Sequence, residues 1–149
     1  MWNDNKSLQL SKLSVIFFMV LLIVSAILAP RIVDGLLSRS AMANRAGAFP
    51  FLLTLYLGII PAAALLVNLF MMLKRIGEGL VFVPENVKSL RIISWFFYLG
   101  GVICIISTFY YTPWLPVGIA AFFMGLVVRV VKNVIAKAVF LQNEADYTI

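Results

Sequence analysis

Four long apolar stretches alternate with shorter polar segments along the chain. They cover residues 13–29, 47–73, 92–111 and 113–131, and Arg129 is the only charged residue within them. A helix of about 20 apolar residues crosses the hydrocarbon core of a bilayer. The pattern therefore predicts an all-α, polytopic membrane protein. We expect an antiparallel bundle of four transmembrane helices, with the last helix extending into the cytoplasm.

The polar segments give the expected connections. Residues 30–45 carry four charges, so they form either a short helix on the membrane surface or an ordinary loop. Residues 74–91 are predicted to be a cytoplasmic loop in which Gly77 and Gly79 end the second helix. Pro84 suits the first position of the third helix.

The tail, residues 132–149, is predicted to continue the fourth helix. Its apolar positions are spaced by three or four and form one stripe: Val127, Val131, Val134, Ala138 and Leu141. Phe140 falls on the opposite, more polar side. It either folds onto the membrane surface or anchors a cytoplasmic partner, because exposed aromatic residues often act as binding hot spots.

Composition supports a membrane location for the whole chain. Of its 149 residues, 63% are hydrophobic and 12% are charged, whereas soluble domains are about half apolar and about a quarter charged. The lipid bilayer is therefore the first partner that the sequence predicts. Residues 1–149 are predicted to form a single domain. The net charge of +6 is explained by contact with lipid headgroups, so no direct nucleic acid binding is expected.

Charge asymmetry predicts the orientation of the helices. Nine basic residues fall in the N-terminal segment, the second connection and the C-terminal part: Lys6, Lys12, Lys74, Arg75, Lys88, Arg91, Arg129, Lys132 and Lys137. The other side receives only Arg31, Arg39 and Arg45. Cytoplasmic segments are rich in Lys and Arg, so both termini are expected in the cytoplasm.

The inventory of reactive side chains argues against catalysis. The chain has no histidine, one cysteine (Cys104), and no Asp or Glu within the apolar stretches. A Ser–His arrangement is excluded, and ion-coupled carriers normally keep an ionisable group inside the membrane. We expect no enzyme activity, no catalytic residues, no cofactor and no metal site.

Small and polar residues within the apolar stretches are candidates for helix packing: Gly58, Asn68, Gly100, Gly101, Ala121 and Gly125. Small residues let helix backbones approach closely, either within one chain or between copies of the chain. A homo-oligomer is therefore one of the alternatives. Asn68 is expected to hydrogen-bond across helices, and the alternative is that it lines a ligand cavity.

Two segments resemble a known family. They are residues 76–91, IGEGLVFVPENVKSLR, and the ending 141–149, LQNEADYTI. Together with four spans in this length, they resemble the bacterial membrane family catalogued as domain of unknown function 2975. The family often has Ser or Thr where Val83 stands and Leu where Tyr147 stands. The resemblance covers nearly the whole chain and implies a bacterial cell membrane.

The resemblance implies a regulatory role without an assigned enzymatic activity. Family members are commonly encoded beside a small helix-turn-helix regulator and resemble partners of that regulator. The candidate partner-binding residues are those of the two motifs together with Phe140: Phe82, Asn86, Lys88, Arg91, Phe140, Glu144 and Asp146. The alternatives are an immunity or stress-protection protein against membrane-active peptides, and a structural subunit of a membrane complex.

Overall fold

A computed structural model describes residues 3–147, which form five α-helices. These are α1 (Asp4–Arg39), α2 (Ala41–Ala46), α3 (Ala48–Gly77), α4 (Pro84–Ser107) and α5 (Trp114–Tyr147). Among the described residues, α1, α3, α4 and α5 are long and apolar enough to cross a membrane. The all-α prediction, with four helices long and apolar enough to span a membrane, is therefore confirmed. The end of the tail motif, residues 148–149, lies outside the described part.

Helix α1 runs through Pro30 to Arg39, past the predicted end of the first span. Proline has no N–H, so Pro30 leaves the Ala26 carbonyl without its usual intrahelical donor. The Tyr56 hydroxyl on α3 donates to that carbonyl at 3.2 Å. Side chains of neighbouring helices are one source of replacement donors at prolines within transmembrane helices.

The first connection is helical and partly buried. Val33, Ala43 and Phe51 are each at most 1% exposed and form one core cluster at this end of the molecule. The Ser40 side chain accepts a hydrogen bond from the Ala43 amide at 3.3 Å and caps α2. Gly47, with φ of 80°, then turns the chain into α3. The ordinary-loop alternative for residues 30–45 is thus wrong.

The other helix boundaries follow the sequence signals. Helix α3 ends at Gly77, Gly79 has a φ of 85°, and Pro84 is the first residue of α4. Helix α5 is continuous from Trp114 to Tyr147, so the helical tail is confirmed over its described part.

Each long helix packs extensively only against its neighbours in the chain: α1 against α3, α3 against α4, and α4 against α5. Helices α1 and α3 are antiparallel, since Val33 near the end of α1 meets Phe51 near the start of α3. Within residues 3–147, α1 and α5 share no extensive contact, so the helices form an open, curved layer. A closed four-helix bundle is not formed.

The packing face of α5 differs from the stripe that the tail pattern suggested. Its less exposed positions alternate in steps of three and four: Gly118, Ala121, Gly125, Val128, Lys132, Ile135 and Val139. Val127, Val131, Val134 and Leu141 of the expected stripe are exposed, and only Ala138 is half-buried. Glycines let α4 approach closely, so this face turns inward and the large apolar side chains face outward.

Candidate functional site

The segment between α3 and α4 is fixed by a hydrogen-bonded clamp around Arg75. Its Nη1 donates to Asn86 Oδ1 at 3.1 Å and to Ser89 Oγ at 3.0 Å. The Asn86 amide in turn donates to the carbonyls of Leu80 and Val81, at 2.9 Å and 2.8 Å. A charged donor strengthens such bonds, so the clamp orders the loop and sets its position against α4.

Asn86, a candidate partner-binding residue, is therefore an interior residue. It is 1% exposed, and both its oxygen and its amide nitrogen are used within the chain. A soluble partner cannot reach it directly. Its role is to shape the loop that any partner would meet.

A groove of about 380 Å³ lies beside this clamp, between α4 and α5. We call it the α4–α5 groove, and its lining residues are Pro84, Val87, Lys88, Arg91, Ala136 and Val139. It combines an apolar floor with two cations. The first recognisable motif and the tail, far apart in sequence, thus form the two walls of one concave surface.

The remaining candidate partner-binding residues lie outside the groove lining. Phe82 is 51% exposed in the loop before α4, and Phe140, 56% exposed, directly follows the groove residue Val139. Glu144 and Asp146 are exposed near the end of α5. The lining of the groove thus includes Lys88 and Arg91 and does not include Phe82, Glu144 or Asp146.

A second concavity, of about 290 Å³, is lined by residues of all four long helices. We call it the central cavity. Gly58, Gly100 and Ala121 line it. A Cβ added at Gly58 or Gly100 would meet nothing within 4 Å, so these two glycines do not bring helices into contact. The buried indole Nε1 of Trp114, a lining residue, has no hydrogen-bond partner in the described part of the chain.

Close helix contact is made by Gly101, Gly118 and Gly125 in the α4–α5 seam. A Cβ at Gly101 would lie 2.9 Å from the Phe122 ring, and one at Gly118 would lie 3.2 Å from the Gly101 carbonyl oxygen. The Ser94 hydroxyl donates to the Gly125 carbonyl at 3.0 Å across the same seam. Gly118 was not among the predicted packing residues, and its signal is the seven-residue spacing to Gly125.

Asn68 does not make the expected hydrogen bond across helices. Its amide donates to the Ala64 carbonyl of the same helix at 2.8 Å. Four-residue spacing places that carbonyl within reach, so the group is satisfied locally. It also lines none of the concavities described above.

A chain of hydroxyls joins α3 to the end of α4 and was not anticipated. Tyr110 donates to Thr54 Oγ1 at 2.7 Å, and Ser107 donates to the Ile103 carbonyl at 2.8 Å. The Thr54 and Ser107 oxygens are 2.7 Å apart, so Thr54 must donate in that bond. Every hydroxyl proton has one acceptor, as burial requires.

Comparison with known proteins gives a family for the chain. The model of the family described as "Protein of unknown function (DUF2975)" matches residues 7–149. The chain belongs to the DUF2975 family. The resemblance seen in residues 76–91 and 141–149 is thereby confirmed. No curated protein and no solved structure matches the chain.

Proposed function

We propose that this DUF2975 member is a non-catalytic regulatory membrane protein that holds a cytoplasmic helix-turn-helix regulator. The regulator would dock in the α4–α5 groove. One observation carries the proposal: Pro84, Lys88 and Arg91 from the first motif and Val139 from the tail line the same concave surface. Docking there would tie the position of a soluble protein to the state of a membrane protein.

The groove has the chemistry of a protein-binding site. Its apolar floor suits an amphipathic segment, and Lys88 and Arg91 favour acidic side chains at the rim of that segment. Exposed Phe140, beside the groove residue Val139, supplies an aromatic anchor of the kind that dominates binding energy.

The proposal requires the groove to face the cytoplasm. Three observations bring basic residues to its end of the layer. Lys12 Nζ lies 3.0 Å from where a Gly77 Cβ would be, Arg75 binds Asn86, and Arg91 and Arg129 line one small concavity. Lys and Arg clustered at one end of the helices support a cytoplasmic location for that end. Both termini of this cell-membrane protein would then also lie in the cytoplasm.

Co-purification of the genetically adjacent regulator with the full-length protein from cross-linked native membranes tests the proposal. The informative variant is Phe140→Ala, and Phe123→Ala is its matched control, since Phe123 is 63% exposed on the same helix but belongs to the apolar span. We expect recovery of the regulator to fall about tenfold or more with Phe140→Ala, as for a binding hot spot. Phe123→Ala should leave recovery unchanged.

Deletion of residues 137–149 gives the coarser comparison. Unchanged recovery of the regulator with both this deletion and Phe140→Ala would exclude the tail as a docking wall. The protective alternative predicts a different result, in which a deletion strain becomes sensitive to membrane-active peptides while transcription stays normal.

A further inference from the structure

A small basic concavity lies on the α4–α5 seam, toward the membrane from the α4–α5 groove. It has a volume of about 60 Å³ and is lined by Arg91, Ser94, Trp95, Arg129 and Lys132. Three of these five side chains carry a positive charge, and none is acidic. We call this the basic niche.

Across the part of the chain that the structure describes, no acidic group pairs with the positive charges of the basic niche. Within residues 3–147, Arg91, Arg129 and Lys132 have neither an ion pair nor a side-chain hydrogen bond. Three cations around one small space repel one another, and an anion bound between them would remove that repulsion. The two guanidinium groups have the planar, forked geometry that matches phosphate oxygens.

The position of the basic niche along the helices indicates which class of anion it suits. Arg91 directly precedes the apolar stretch 92–111, and Arg129 lies two residues before the end of the stretch 113–131, which Lys132 follows. Both therefore lie where hydrocarbon gives way to headgroups. Trp95, which is 62% exposed, is a residue type enriched at that boundary. Phospholipid phosphate occupies this level, and basic pockets between transmembrane helices bind anionic headgroups.

We propose that the basic niche binds the phosphate of an anionic phospholipid, with Arg91, Arg129 and Lys132 as its ligands. A lipid with a net negative charge is selected over a zwitterionic one because the niche offers three cations and no carboxylate. Trp95 packs against the part of the acyl chains nearest the headgroup. The docking of a soluble regulator is a separate property, and the niche does not depend on it.

Native mass spectrometry of the full chain in mild detergent, titrated with phosphatidylglycerol, tests the proposal. The test variant is the double substitution Arg129→Gln and Lys132→Gln, which leaves the groove residue Arg91 in place. The matched control, Lys74→Gln with Lys137→Gln, removes two cations that do not line the niche. We expect the test variant to bind phosphatidylglycerol at least tenfold more weakly and the control to stay within about twofold.

Two further arms separate lipid from soluble phosphate. Phosphatidylcholine should bind at least tenfold more weakly than phosphatidylglycerol, and soluble glycerol phosphate should not displace the lipid. Displacement by glycerol phosphate would overturn the assignment to lipid, because a soluble phosphate compound would then be the ligand. Equal losses in the test and control variants would overturn the niche itself, because diffuse charge would account for binding.

A conservative variant guards against misfolding. Arg129→Lys keeps the charge and removes only the guanidinium fork, so it should retain phosphatidylglycerol binding within about fivefold. If Arg129→Lys is monodisperse and binds as weakly as the double variant, charge is not what the niche contributes and the proposal is wrong.

Discussion

The hydroxyl of Tyr56 donates to the carbonyl of Ala26, the one carbonyl of α1 that Pro30 deprives of an intrahelical donor. This bond spans thirty residues of sequence and joins α3 to α1 at 3.2 Å. It replaces a hydrogen bond that the helix itself cannot make. The proline and the tyrosine therefore form a matched pair.

The matched pair predicts coupled substitutions. Tyr56→Phe should lower the free energy of unfolding by about 0.6 kcal/mol, the average for hydrogen bonds between membrane helices. In a Pro30→Ala background the restored N–H serves the Ala26 carbonyl, so the same substitution should cost almost nothing. Unfolding in mixed micelles measures the double-mutant cycle, and strictly additive effects would argue against the replacement.

Substitution of two glycines by alanine is predicted to have opposite effects on stability. A Cβ at Gly125 would lie 2.7 Å from the Tyr98 ring and 3.2 Å from Phe97 Cβ, so Gly125→Ala should destabilise the protein by about 1–3 kcal/mol. Gly100→Ala, where the Cβ meets nothing within 4 Å, should stabilise it by about 0.5–1 kcal/mol through helix propensity. Thermal unfolding of the two variants in detergent compares them. Equal effects would mean that the seam is not closely packed.

The clamp predicts that Asn86 acts on stability. Asn86→Ala removes two bonds to loop carbonyls and leaves Arg75 without one acceptor, at a cost of about 1–3 kcal/mol. Hydrogen exchange should become faster across residues 78–83. Lys88→Ala, an exposed position on the same turn of α4, is the control and should change neither quantity. An unaltered loop in Asn86→Ala would contradict this role.

The hydroxyl chain predicts a difference between two threonines. Thr54→Val removes both an acceptor of Tyr110 and a donor to Ser107, so it should cost about 1–3 kcal/mol of unfolding free energy. Thr108→Val loses only a local bond to the Cys104 carbonyl, so its cost in unfolding free energy should be a few tenths of the cost of Thr54→Val. Chemical unfolding of both variants tests the ranking, and the reverse order would exclude the chain as a link between α3 and α4.

The proposed orientation predicts a labelling pattern. In a Cys104→Ser background, single cysteines at Arg39, Lys74 and Lys137 report on the two ends of the helices. A membrane-impermeant maleimide should label Arg39→Cys in intact cells. It should reach Lys74→Cys and Lys137→Cys only after permeabilisation. Labelling of Lys137→Cys in intact cells would remove the groove from the cytoplasm.

Local signals in the sequence predicted the helices well. Uncharged stretches of spanning length, Gly77 with Gly79, and Pro84 each act through the residues next to them, and the structure places the helix boundaries accordingly. The continuous α5 follows from the same kind of signal. These features can be predicted without knowing which helix packs against which.

The failures come from tertiary contacts. The first span was predicted to end at residue 29, whereas α1 continues through Pro30 to Arg39, and Tyr56, thirty residues from Ala26, bonds the carbonyl that the proline leaves without a donor. Asn86 lies inside because Arg75 and the loop carbonyls surround it, which its place in a polar segment does not indicate. Gly118 was not predicted because its role depends on the approach of α4 to the face that it shares with Gly125, seven residues further along α5.

Within residues 3–147, each long helix packs extensively on the long helix made just before it and on no earlier one, so the chain can assemble in the order of its synthesis. When α3 leaves the ribosome, its complete docking surface on α1 is already in the bilayer, and the same holds for α4 and then α5. No early helix has to wait for the C-terminus or exchange partners later. Insertion and folding can therefore proceed as one vectorial process, and a truncation after α4 should still leave a correctly paired three-helix intermediate.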